Sequence, residues 1–78
     1  MPRFERVTFL PHARERMEQY GITEEEVQSV LEEPGEKGTA NLGRSYAQTL
    51  LSRRLVRVIY NVGMDEAVVV SVILRRKR

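Results

Sequence analysis

Between Pro11 and Pro34 the chain divides itself into two short helices, with nearly every start and stop signal in place. Proline at a first helical position loses no hydrogen bond, because an amide there has no partner within the helix. Ala13, Met17 and Tyr20 then fall in one narrow stripe at ~100° per residue. Gly21 supplies the left-handed residue that ends a helix. The spacing predicts a first helix over Pro11–Tyr20. Thr23 and Glu26 have the spacing of a capping box, and Ile22 and Val27 occupy the two positions of a hydrophobic staple. The run Glu24-Glu25-Glu26 complements the positive end of the helix dipole. Val27, Val30 and Leu31 form a buried stripe, and Pro34-Gly35 stops the second helix, predicted over Thr23–Glu33.

After Gly43 the apolar period changes to two. Strands are predicted over Arg44–Leu51, Leu55–Val62 and Glu66–Leu74, joined by a tight turn at Ser52-Arg53 and a hairpin at Gly63-Met64-Asp65. Residues 3–9 read as a short edge strand. Residues 35–43, with three glycines, read as a loop or a loop with one short extended piece. In Val68-Val69-Val70 and Val72-Ile73-Leu74 both faces are apolar. That predicts a central strand covered on two sides, or covered by helices on one side and by a second copy on the other. The fold class is therefore α+β: two N-terminal helices packed on an antiparallel sheet of three to four strands.

A chain of 78 residues is expected to form one domain, with a modest core. It has no cysteine, which removes disulfides and thiolate metal sites, and its single histidine argues against zinc. No metal and no cofactor are expected. No run approaches the ~18 apolar residues of a membrane span, and the N-terminus lacks a signal-peptide core, so a soluble cytoplasmic protein with no membrane partner is expected. The net charge of +2 hides an asymmetry. Residues 1–36 carry four arginines against nine glutamates, a balance of −5, while residues 37–78 carry nine Lys or Arg against Asp65 and Glu66, a balance of +7. Phosphate backbones are the commonest partner of such a basic field. The alternative is that the two halves attract each other across a helix–sheet contact or a dimer. Arg75-Arg76-Lys77-Arg78 reads as a basic tail.

The helical motif also carries a likeness. His12 opening the first helix, followed by Ala-Arg-Glu-Arg-Met, Tyr-Gly-Ile-Thr-Glu-Glu-Glu-Val and Leu-Glu-Glu-Pro, resembles a widespread prokaryotic family of small domains of unknown function linked to the RelE/ParE toxin superfamily. The likeness extends through Leu55-Val56-Arg57-Val58-Ile59 and Val68-Val69-Val70-Ser71-Val72, and so covers nearly the whole chain. It implies a RelE/ParE-like fold and kinship with toxins of toxin–antitoxin pairs, among them ribonucleases that work without metal through Arg, Lys, His or Tyr. RNA or the ribosome would be the target, and an antitoxin-like protein a partner.

The residues themselves offer a matching chemistry. His12, Arg16 and Gln19 stand at i, i+4 and i+7, in one row beside the apolar stripe. An imidazole there can take the proton of an RNA 2′-hydroxyl while arginines hold the phosphate. His12, Arg16 and Arg57 are the candidate catalytic residues. Arg75, Arg44 and Tyr46 are the candidate RNA-binding residues, with Tyr46 as a surface on which a base stacks. Arg57, Ile59 and Asn61 share one face of their strand, and Ser71, Ile73 and Arg75 one face of the next. Tyr60, in phase with Val56, Val58 and Val62, is expected in the core. Each assignment has a plainer alternative: His12 fixes the opening turn of its helix, and Arg57 and Arg75 pair with glutamates of the second helix. Two functions follow, an RNA-binding or RNA-cleaving domain and a non-catalytic interaction module, expected as a homodimer.

Overall fold

The computed structural model describes residues 4–76. Strand β1 (Arg6–Phe9) leads into helix α1 (Pro11–Tyr20) and helix α2 (Glu24–Glu32). Strand β2 (Glu36–Thr39) follows, then a single 3-10 turn at Asn41–Gly43, and the hairpins of β3 (Ser45–Leu51), β4 (Arg54–Gly63) and β5 (Glu66–Arg76). The sheet has five strands in the order β1-β5-β4-β3-β2. Both helices pack on one of its faces, α1 against β5 and α2 against β3 and β4.

The helices form for the reasons written in their sequence. Gly21 takes the left-handed conformation at φ 68°, its N–H donates to the Glu18 carbonyl, and the Ile22 N–H reaches back to the Met17 carbonyl at 2.8 Å. This pair of bonds is a Schellman cap. At α2 the capping box is complete: the Glu26 N–H donates to Thr23 Oγ1 at 3.1 Å, and the Thr23 N–H donates to Glu26 Oε1 at 2.9 Å. Ala13, Met17, Ile22, Val27, Val30 and Leu31 are buried against Phe9, Ala47, Val56, Val58, Tyr60, Val69 and Val72. Arg14 pairs with Glu24 at 2.7 Å between the two helices, and Arg54 pairs with Glu26 at 2.9 Å, tying β4 to α2. The arginine that meets the second helix is thus Arg54, not Arg57 or Arg75.

The sheet departs from the expected antiparallel sheet of three to four strands in direction, in strand number and in the length of its last strand. β1 pairs with β5 in parallel, Arg6 to Glu66 through Phe9 to Val69, because the two helices carry the chain to β2 at the far edge and the antiparallel strands β2 to β5 then step back to lie beside β1. The glycine-rich segment contributes a fifth strand, β2, along β3. β5 runs on through Arg76, so Arg75 and Arg76 belong to the sheet rather than to a tail, while Lys77 and Arg78 lie outside the described residues, as does Arg3 of the predicted first strand.

β5 is a central strand, as its apolar run predicts, yet helices cover only one of its faces. The pairing passes from Ile59↔Ser71 to Tyr60↔Val69, leaving Val70 without a partner on β4. This bulge re-phases the strand, so that Ala67 and Val69 before it and Val72 after it all point under the helices. The run of apolar residues is therefore partly a change of phase. Val68, Val70 and Ile73 stay half-buried on the open face. At the hairpin ends the strand rule weakens: Val62 shares the core-facing phase but is 60% exposed, beyond the reach of the helices. The Ser52-Arg53 turn takes left-handed φ at both residues, 48° and 69°, matching the twist of its strands without asparagine or glycine.

Candidate functional site

The open face of the sheet carries a connected polar group, and strand register explains its composition. One row across the sheet reads Glu36 on β2, Gln48 on β3, Arg57 on β4 and Ile73 on β5. The next row reads Gly38, Tyr46, Ile59 and Ser71. Within these rows Arg57 Nε donates to Gln48 Oε1 at 2.8 Å, and Gln48 Nε2 donates to Glu36 Oε1 at 2.9 Å. The Tyr46 hydroxyl donates to the other Glu36 oxygen, Oε2, at 2.6 Å. The guanidinium of Arg57 leans across to the second row and lies over the Tyr46 ring, 4.4 Å from its centroid.

Gly38 is what lets the ring lie down. A Cβ at Gly38 would stand 2.9 Å from Tyr46 Cε1, a distance that real contacts do not allow. The ring therefore covers bare backbone on β2 and so brings its hydroxyl to Glu36. That bond, together with partial desolvation and the Glu36 charge, raises the Tyr46 hydroxyl above the usual tyrosine range, against an opposing pull from Arg57. Tyr60, on the other side of the sheet, is also raised, by burial alone.

Beside this cluster a depression of about 380 Å³ opens between Thr39, Asn41, Arg44, Tyr46, Arg57 and Ile59. Its outer wall is the loop before β3. The Ala40 N–H donates to the Arg44 carbonyl at 2.7 Å, and Leu42 and Gly43 take left-handed φ of 62° and 72°. The half-buried Arg44 that follows this closure lines the depression together with Arg57.

The sequence candidates separate into two groups. Arg44, Tyr46 and Arg57 line the same depression. Arg75 shares the open face, opposite Leu55 and one step along from Arg57. The shared face predicted for Arg57 and Ile59 with Ser71 and Ile73 is present in the register. His12 and Arg16 stand elsewhere. His12 is exposed on the first turn of α1, and Arg16 Nη1 donates to Gln19 Oε1 at 3.3 Å. Arg57 lies between Val56 and Val58, both fully buried under the helices, so its side chain leaves the opposite face of the sheet. The trio His12, Arg16 and Arg57 is therefore not one constellation, because the sheet itself stands between its members. Tyr46 does not offer a bare ring either, since Arg57 occupies one of its faces.

Glu36, Gly38 and Gln48 escaped the sequence reading. Alternation of Tyr46 with Gln48 places both on one strand face, but the pairing of Glu36 with Gln48 depends on a β2 register that composition does not reveal. Among the described residues no three His, Cys, Asp or Glu side chains gather as a metal site.

Residues 9–74, from the end of β1 to near the end of β5, match the domain of unknown function DUF4258. The chain belongs to that family. No curated protein and no solved structure matches it. The match spans both helices, β2, β3, β4 and most of β5, so the polar rows of this DUF4258 domain lie wholly inside the family segment. The predicted membership in a family of small domains of unknown function holds at that level.

Proposed function

We propose that this DUF4258 domain binds single-stranded RNA on the open face of its sheet. The observation that carries the proposal is the Arg57 guanidinium over Tyr46, beside Arg44, at the rim of a depression. Single strands are held by planar groups on which bases stack and by cations that follow the phosphates. An arginine supplies both properties, and its Nε bond to Gln48 fixes the plane. Arg75, further along the same face, extends the basic track. Kinship with RelE/ParE toxins, and with it a ribosome-bound RNA target and an acidic antitoxin-like partner, belongs to this reading. Two helices on one face of a largely antiparallel sheet are compatible with that kinship. A cytoplasmic setting follows from the same proposal, and no described helix is long and apolar enough to cross a membrane.

The test is binding of a labelled single-stranded RNA at increasing salt. Three arginines each neutralising one phosphate give a log–log slope of about −2. Arg57→Ala and Arg44→Ala each weaken binding and flatten that slope. An affinity independent of salt, or unchanged in both variants, contradicts the proposal.

A second reading has its own observation. Leu50, which is 51% exposed, joins Leu55 and Val68 in flanking the polar rows on the open face, and apolar flanks favour self-association of a non-catalytic module through this face. Sedimentation without and then with RNA separates the two: a tight dimer that excludes RNA supports the module, and a monomer that binds RNA supports the first reading.

A further inference from the structure

The helical side of the sheet holds a second cavity, across the sheet from the depression. It opens beside the end of α2 with a volume of about 390 Å³. That lies within the range of small-molecule sites, ~300–1,000 Å³. Phe4, Leu31 and Pro34 give it apolar walls, and the Phe4 ring stands edge-on to Tyr60 with 5.9 Å between centroids.

Tyr60 is the residue that points to a ligand. It is only 8% exposed, yet among the described residues nothing bonds to its hydroxyl. A buried tyrosine hydroxyl ordinarily finds a partner. Burial raises its titration, so it keeps its proton and remains a donor at neutral pH. The residue lines the cavity, and the missing partner has room there.

Two opposite charges stand on the same walls. Lys37 lies opposite the buried Ala47, a register that sends its side chain to the helical side. Glu33 is the cap residue of α2, and Glu32 precedes it. The carbonyl end of a helix is negative and is stabilised by cations, but the last turn of α2 holds no basic residue. This end of the cavity therefore favours an added positive charge. Lys37 and Glu33 line the cavity together without pairing with each other.

We propose that this cavity binds a free α-amino acid with an apolar side chain. The α-carboxylate accepts from the Tyr60 hydroxyl and the Lys37 ammonium. The α-ammonium lies at Glu33 and the negative end of α2. The side chain lies against Phe4, Leu31 and Pro34. A free amino acid carries both charges on one carbon, whereas a residue within a peptide carries neither and a terminal residue only one. An amine without a carboxylate leaves the Tyr60 hydroxyl unmatched, and a carboxylate without an amine meets Glu33. The site is separate from RNA binding, since Tyr60 and Tyr46 leave opposite sides of the sheet.

The test titrates the full chain with L-phenylalanine and with L-leucine, followed by calorimetry and by amide chemical shifts. Phenethylamine, 3-phenylpropionate and L-phenylalaninamide are the comparison ligands. The expected result is saturable binding of an amino acid, with shifts at Phe4, Leu31, Glu33, Lys37 and Tyr60. Each comparison ligand binds about tenfold or more weakly, because a hydrogen bond to a charged group is lost. Tyr60→Phe, Lys37→Met and Glu33→Gln each weaken the amino acid by a similar factor, and Lys37→Met leaves phenethylamine unchanged. Lys37 and Glu33 are exposed, so their variants keep the fold and the test stands even where Tyr60→Phe does not fold. No saturable binding of either amino acid overturns the proposal. So does phenethylamine or 3-phenylpropionate binding as tightly as phenylalanine, or an affinity unchanged in both Lys37→Met and Glu33→Gln.

Discussion

Tyr46 is the residue in which most of the site's physics meets. Its ring lies on the bare backbone of Gly38, its face meets Arg57, and its hydroxyl donates to Glu36. Ionising it would break the hydroxyl bond and set two negative charges side by side, which is why its titration is displaced upward. The sign of the pH effect follows. Whatever stability the bond adds is fully present below the ordinary tyrosine value of ~10 and is lost as pH rises through the higher folded-state value. A spectrophotometric titration of the three tyrosines checks this. Tyr46→Phe removes one of the late-ionising groups, and Gly38→Ala, which pushes the ring off β2, moves that group back towards ~10. A Tyr46 that ionises at or below the ordinary value contradicts the described contact.

At the scale of elements, the helices were legible because their signals are local. Thr23 with Glu26, Gly21 after Tyr20 and Pro11 at the start each act within four residues, so the bounds of α1 and the capping of α2 could be read directly. The capping box gives a stability prediction: Thr23→Ala lowers unfolding free energy by about 1 kcal/mol, measured by chemical denaturation, whereas Thr23→Ser leaves it nearly unchanged. A Thr23→Ala protein as stable as wild type would show that the two cap bonds do not matter to the fold. The strands were legible only in part. Their existence follows from alternation, but the bulge at Val70 and the parallel return of β1 depend on how distant segments meet. For the same reason Arg44, Tyr46 and Arg57 could be named without knowing that one depression joins them. Glu36 could not be named at all, because its importance comes from lying opposite Gln48. The choice of His12 shows the limit from the other side. Helical spacing placed it beside Arg16, but spacing says nothing about which face of a sheet Arg57 leaves.

At the scale of the whole molecule, charge and layer order coincide. Both helices, with Glu15, Glu18, Glu24, Glu25 and Glu26, cover one side of the sheet, and Arg44, Arg57 and Arg75 stand on the other. The asymmetry between the acidic front half and the basic back half of the chain thus becomes an asymmetry between two surfaces. On the proposed reading, a polyanion is drawn to the open face by Arg44, Arg57 and Arg75, and away from the helical layer, where glutamates outnumber Arg14 and Arg16. The alternative drawn from the sequence, mutual attraction of the halves, is met among the described residues at the Arg54–Glu26 pair.

The central claim is that RNA lies on the open face of the sheet. Amide chemical-shift mapping by NMR, during titration with a short single-stranded RNA at low salt, tests it most directly. Shifts concentrated at Gly38, Arg44, Tyr46, Gln48, Arg57 and Arg75, with His12 to Gln19 unmoved, are the predicted result. Shifts concentrated on α1 and α2, or none at saturating RNA, would contradict it.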